Sequence, residues 1–168
     1  GHGRLILLGG EAGIGKTALA RDLEREAIER GVRVLTGHCY DLSSTPPYGP
    51  WLELVRDVPH DPAEPRPPAQ EWSGRLGPVI DQSALFEDVQ RFIEQLTTAR
   101  PILLVLEDLH WADPASVELL RFVGRSLRRL PILVVATYRI DELTRHHALF
   151  QHLPDLIRET DAARLEPR

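Results

Sequence analysis

Eight consecutive residues carry the strongest chemical signal in the chain. Gly10, Glu11, Ala12, Gly13, Ile14, Gly15, Lys16 and Thr17 follow the spacing G-x-x-x-x-G-K-[ST]. Glycines at this spacing let backbone N–H groups turn inward around an anion, where side chains would collide with it. The lysine brings a positive charge to the β- and γ-phosphates of a nucleotide. The threonine hydroxyl is an oxygen ligand of the kind magnesium prefers. Ala18 follows in the first turn of a predicted helix, whose free N–H groups and dipole also favour an anion. Residues 10–18 are therefore the expected nucleotide contacts. The plain alternative is a glycine-rich turn between a strand and a helix.

A second cluster is the acidic pair Glu107 and Asp108, directly after the aliphatic run Leu103-Leu104-Val105-Leu106. A buried strand delivers such carboxylates to its exposed end. There one acid can hold magnesium through water, and the other can orient or deprotonate an attacking water. By order, Glu107 takes the metal position together with Thr17, and Asp108 takes the water position. The reverse assignment stays open, because many enzymes with such a loop place Asp first and Glu second. Adjacent strand residues point to opposite faces, so the chain must leave strand geometry here if both acids face one site. Acids also end strands simply as solvated groups. The third candidate is Arg139, after another aliphatic run, where a guanidinium can report the γ-phosphate by a charge-assisted bond. Thr137 beside it is a candidate donor to the attacking water.

The elements that must position these residues can be read from periodicity. Short aliphatic runs at 4–9, 32–38, 102–106, 132–137 and 163–165 read as strands. Helices are expected at 16–30, 50–58, 83–98, 114–129 and 142–159, the last interrupted at Pro154. The first has Leu19, Leu23, Ala27 and Ile28 on one side, and Asp113 is an expected N-cap of the fourth. Residues 59–78 hold six prolines and read as a surface excursion. Alternating strands and helices give an α/β fold with a mostly parallel sheet of about five strands. Ligands in such sheets sit at the carboxyl ends of the strands. All three candidate segments follow strands, so they are expected on one edge.

Bulk properties narrow the class. The chain has 168 residues, suited to one domain, with 42% apolar and 27% charged residues. Its net charge of −5 argues against direct nucleic-acid binding. No apolar run approaches a bilayer span, and Leu5 to Leu8 is too short for a signal peptide. The single cysteine, Cys39, allows no internal disulfide, and a cytoplasmic location is expected. The chain has no methionine and starts almost on a strand. It is expected to be a piece of a larger protein, with residues 1–168 forming the nucleotide-binding core.

Residues 9–19, 103–120 (LLVLEDLHWADPASVELL) and 134–139 (VVATYR) resemble the signal-transduction ATPases with numerous domains. More narrowly, together with residues 37–54, they are similar to the large ATP-binding regulators of the LuxR family and their relatives fused to cyclases or kinases. The block from Glu107 to Asp113, with His110 and Trp111, is the most specific part. The resemblance implies a P-loop NTPase fold, a three-layer α/β/α sandwich in which another strand separates the loop strand from the acidic-pair strand. It implies ATP and Mg2+ as ligands and a switch that ATP sets and hydrolysis resets. Adenine over guanine rests on this resemblance alone. It also implies a lid, sensor repeats and effector domains beyond this segment as partners, and hence weak affinity and slow turnover for the segment by itself.

Other readings stay beside it. A P-loop kinase would carry an arginine-rich lid, and a binding-only module would have lost turnover. His110 and Trp111 either couple the nucleotide to a partner domain or pack the loop. Tyr48 and Pro50 lie near the nucleotide in the resembled fold. Trp72 is a partner contact or a local anchor. Cys39 reads as a small buried hydrophobe, and Arg125, Arg128 and Arg129 as a solvated helix end.

Overall fold

The computed structural model describes residues 2–41, 47–56, 58 and 82–167. The expected excursion at 59–78, with Trp72, lies outside the described residues. Five strands form one sheet: β1 (Arg4–Gly10), β2 (Arg33–His38), β3 (Ile102–Glu107), β4 (Ile132–Arg139) and β5 (Ala163–Leu165). Their order is β2-β3-β4-β1-β5, and every pairing is parallel. β4 thus separates the loop strand from the acidic-pair strand, as the resemblance implied. All six residues of β3 are buried, which is why ILLVLE reads as a continuous apolar run. β2 lies at the edge, and its burial alternates.

The helices are α1 (Lys16–Glu29), α2 (Gly49–Arg56), α3 (Gln82–Ala99), α4 (Pro114–Gly124) and α5 (Ala148–Thr160). They divide unequally. α1 packs through Ala20 and Ala27 on the sheet face made by Leu103, Val105 and Val135. The other four pack on the opposite face, over Leu5, Leu7, Leu104, Leu106, Val134 and Ala136. The alternation of strand side chains between faces produces both cores.

Several element boundaries differ from those expected. On α1 the small residues Ala20 and Ala27 face the sheet, whereas Leu19 and Ile28 are exposed at 50% and 63%. The close helix–sheet contact selects small side chains, and the larger ones are displaced outward. α4 stops at Gly124, and Leu127–Arg129 forms a separate 3-10 turn. A Cβ at Gly124 would lie 2.4 Å from Thr160, so the two helices cross closely there. The arginines after α4 are not merely solvated: Arg125 pairs with Glu159 and Arg128 with Asp161, each at 2.7 Å. Arg121 also binds Glu159, and the hydrogen bonds from Arg121 and Arg125 hold that carboxyl down at about 2. α5 starts only at Ala148, capped by the His147 ring, which accepts from the Leu149 N–H at 3.1 Å. It runs through Pro154 without a break. Pro154 and Phe150 are both exposed, so water can take the Phe150 carbonyl that loses its donor.

α2 closes over β2 at Gly37. A Cβ there would stand 2.2 Å from the Pro50 carbonyl oxygen, which is backbone and cannot rotate away. Gly37→Ala should therefore destabilise by about 1–3 kcal/mol. In thermal unfolding that is roughly 2–4 °C per kcal/mol for a chain of this size. An unchanged midpoint would show that α2 is loosely seated.

Candidate functional site

The register brings the candidate residues to one edge. Gly10 at the end of β1 is the partner of Arg139 at the end of β4, and His38 ending β2 is the partner of Glu107 ending β3. Glu107 and Arg139 are thus the last residues of their strands rather than the first residues beyond them.

After Gly10 the chain turns into α1. Gly13 (φ 79°) and Gly15 (φ 95°) take the left-handed conformation that favours glycine. Added Cβ atoms at both would meet nothing within 4 Å. Backbone conformation, not crowding, therefore requires glycine there. Lys16 is only 7% exposed. Its ammonium donates to the carbonyls of Gly10 (2.8 Å) and Glu11 (2.7 Å). Among the described residues no carboxylate lies within ion-pair distance of it. Burial lowers its pKa, Arg139 lowers it further, and Asp108, Asp141 and Glu142 oppose them. A buried ammonium held only by neutral carbonyls is a ready partner for an anion. That chemistry and the open loop fit a polyphosphate.

The two acids are placed differently. Glu107 is 6% exposed. Burial raises its pKa; His38 opposes this, Asp108 and Glu24 add to it, and Arg21 also opposes it. Glu107 follows Leu103 and Val105 in the alternation of β3, so it lies on the sheet face covered by α1, the helix that carries Thr17. Asp108 takes a left-handed backbone conformation (φ 59°, ψ 45°), which is how the chain leaves strand geometry. Its N–H donates to Thr137 Oγ1 at 3.0 Å. Thr137 therefore holds the turn of the acidic pair. Asp108, not Glu107, is the acid whose charge reaches Lys16.

A raised carboxyl pKa has a stability consequence. The group stabilises the fold fully below its ordinary range, and that contribution is lost as pH rises through the raised folded value. At neutral pH the buried Glu107 charge thus works against the fold. Glu107→Gln should raise the unfolding midpoint without nucleotide by about 1 kcal/mol, roughly 2–4 °C. The gain should disappear below about pH 4. A lower midpoint at pH 7 would contradict this.

Arg139 already has partners at the strand edge. Its guanidinium pairs with Glu142 and lies over the Trp111 ring, 5.3 Å from the centroid. Its backbone N–H donates to Nδ1 of His110 at 3.3 Å. His110 is buried, and its ring lies 4.5 Å from that of Trp111. His110 and Trp111 thus pack the loop against β4. Asp113 caps α4 as expected, accepting from the Ser116 N–H at 2.9 Å. Pro50 packs on Gly37, and Tyr48 meets Phe86 edge-on at 6.2 Å. Cys39 is buried, which pushes its thiol up to about 12. Sequence reasoning missed Glu142 and the dyad of His38 with Glu53 (2.9 Å). An acid three residues after Arg139 was the available signal for the first; nothing local marked the second.

A glycine loop, a buried lysine and an acid-tipped interior strand on one edge of a parallel sheet define a P-loop nucleotide-binding core. The chain belongs to the AAA ATPase domain family, whose profile matches residues 1–135. An uncharacterized protein of Rhizobium meliloti (strain 1021) is 25% identical over 169 residues, covering 83% of this chain and 16% of that protein. The chain therefore spans about a sixth of that relative's length. Among solved structures, Drosophila ORC bound to GC-rich DNA and Cdc6 superposes with a TM-score of 0.56 at 13% identity, over 96% of this chain and 49% of that one. The complex on AT-rich DNA gives 0.55 at 13% identity, over 96% and 48%. Those two likenesses concern the fold. No helix among the described residues is long and apolar enough to cross a membrane.

Proposed function

We propose that this chain binds ATP with Mg2+ and hydrolyses it slowly, as the switch domain of a larger cytoplasmic signalling or transcriptional regulator. The observation that carries the reading is Lys16, buried at the strand edge and bonded only to loop carbonyls. Residues 10–18 wrap the phosphates with backbone N–H groups, and Lys16 exchanges a carbonyl for a phosphate oxygen. Thr17 and Glu107 would hold the magnesium, Glu107 through water. The bound ion supplies charge neutralisation on the phosphates. Asp108, turned out of the strand and held by Thr137, orients and deprotonates the attacking water. Arg139 answers the γ-phosphate.

The regulator context rests on the resemblance of residues 37–54 and 103–120 to LuxR-type and related signal-transduction ATPases. The relative about six times as long is compatible with it. Partners are then the nucleotide and other domains of the parent protein. The net charge of −5 supports no direct nucleic-acid contact by this segment. A binding-only module is the second reading, favoured by the engagement of Arg139 with Glu142.

Phosphate release from Mg-ATP tests the proposal. Slow release that Lys16→Ala abolishes supports a hydrolysing switch. Binding without release supports the second reading, and label transferred to an added acceptor would point to a kinase instead.

A further inference from the structure

Glu142 pairs through one carboxylate oxygen and sets the other beside a buried ring nitrogen that makes no hydrogen bond among the described residues. One pairs with the Arg139 guanidinium, and the other lies 3.3 Å from Nε2 of the buried His110. Nδ1 of the same ring accepts the Arg139 backbone N–H, so a neutral ring carries its proton on Nε2, which has no hydrogen-bond acceptor among the described residues. Arg139 is thus held from two sides, by the turn after its own strand and by the 3-10 turn Leu109–Trp111 after β3. Its backbone is held by His110, its charge is met by Glu142, and its flat face lies on Trp111. Yet Arg139 is the strand partner of Gly10, and its charge is felt at Lys16. The cation best placed to answer a phosphate beyond Lys16 already has an anion.

We infer that Glu142 is the resting counter-ion of Arg139 and competes with the terminal phosphate for it, so that Glu142 sets the preference for a nucleoside triphosphate over a diphosphate. The inference rests on the nucleotide site proposed above. A triphosphate brings an anion that can replace the carboxylate on the guanidinium, whereas a diphosphate ends before offering one. The same exchange releases Glu142 and with it the turn at 140–147 that leads into α5. Glu142 acts through Arg139 and is a positioning residue.

The test is a double-mutant cycle on binding. Dissociation constants for a non-hydrolysable ATP analogue and for ADP, both with Mg2+, are measured by calorimetry. The proteins are wild type, Glu142→Gln, Arg139→Ala and the double variant. Glu142→Gln should raise the triphosphate-to-diphosphate affinity ratio roughly fivefold, the scale of a partly exposed charge-assisted pair. Arg139→Ala should lower the ratio and erase the effect of Glu142→Gln. Glu142→Asp, which keeps the charge on a shorter arm, should give an intermediate ratio and serves if Glu142→Gln fails to fold. An unchanged ratio, or the same gain without Arg139, overturns the inference while Lys16-dependent binding keeps the site. Absence of Lys16-dependent binding in wild type overturns both.

Discussion

Asp108→Asn will lower Mg-ATP hydrolysis by about 10²–10⁴-fold, the usual contribution of a positioned general base. Mg-ATP affinity should stay within about threefold, because the phosphate contacts proposed above come from residues 10–18 and not from Asp108. The geometry separates the two acids. Glu107 closes β3, is buried and lies on the sheet face covered by α1, the helix that carries Thr17. Asp108 is turned into a left-handed conformation, fastened by Thr137, and has a partly exposed side chain. Asparagine tolerates that backbone conformation and keeps the N–H bond to Thr137, so the substitution removes the proposed base and little else. Phosphate release and equilibrium binding measured together decide the matter. Loss of binding with retained per-site turnover would exchange the roles of Glu107 and Asp108.

Leu104→Ala will destabilise the domain by about 2–5 kcal/mol. In thermal unfolding this is on the order of 10 °C, at roughly 2–4 °C per kcal/mol. Leu104 is 1% exposed at the middle of β3. It lines a void of about 10 Å³ together with Leu35, Trp51, Leu54, Val89 and Leu96. These neighbours come from β2, α2 and α3, and their backbones are fixed by the parallel sheet and the helix cross-packing. The site therefore cannot collapse around the lost atoms, and the void grows. Leu104→Met keeps the volume and should cost less than about 1.5 kcal/mol. An alanine variant as stable as the methionine one would mean that α2 and α3 move in to fill the space.

The strands and the loop were legible because their signals are local. Four aliphatics before Glu107, glycines at fixed spacing before Lys16 and a proline after Asp113 each constrain the chain within a few residues. The common edge followed from alternation alone, since every candidate segment ends a parallel strand. What was not legible depends on contacts between distant residues. Leu19 and Ile28 fit the apolar stripe of α1, but the close approach of helix to sheet selects Ala20 and Ala27. Pro154 suggested a break, yet exposure of the Phe150 side lets water replace the missing donor. Thr137 was expected to donate to water; its oxygen also accepts the N–H of Asp108, 29 residues earlier in the chain, a contact no local pattern announced. Arg139 was expected to face the phosphates, and the turn after β4 supplies Glu142 to it first.

The most direct test of the central claim is thermal unfolding with and without saturating Mg-ATP, for wild type and Lys16→Ala, with Mg-GTP alongside. Nucleotide at about 100 times the dissociation constant adds about 2.7 kcal/mol. That is on the order of 5–10 °C here. That shift is expected with Mg-ATP in wild type, a smaller one with Mg-GTP and none in Lys16→Ala. Equal shifts in wild type and Lys16→Ala, or no shift at millimolar Mg-ATP, would contradict that claim.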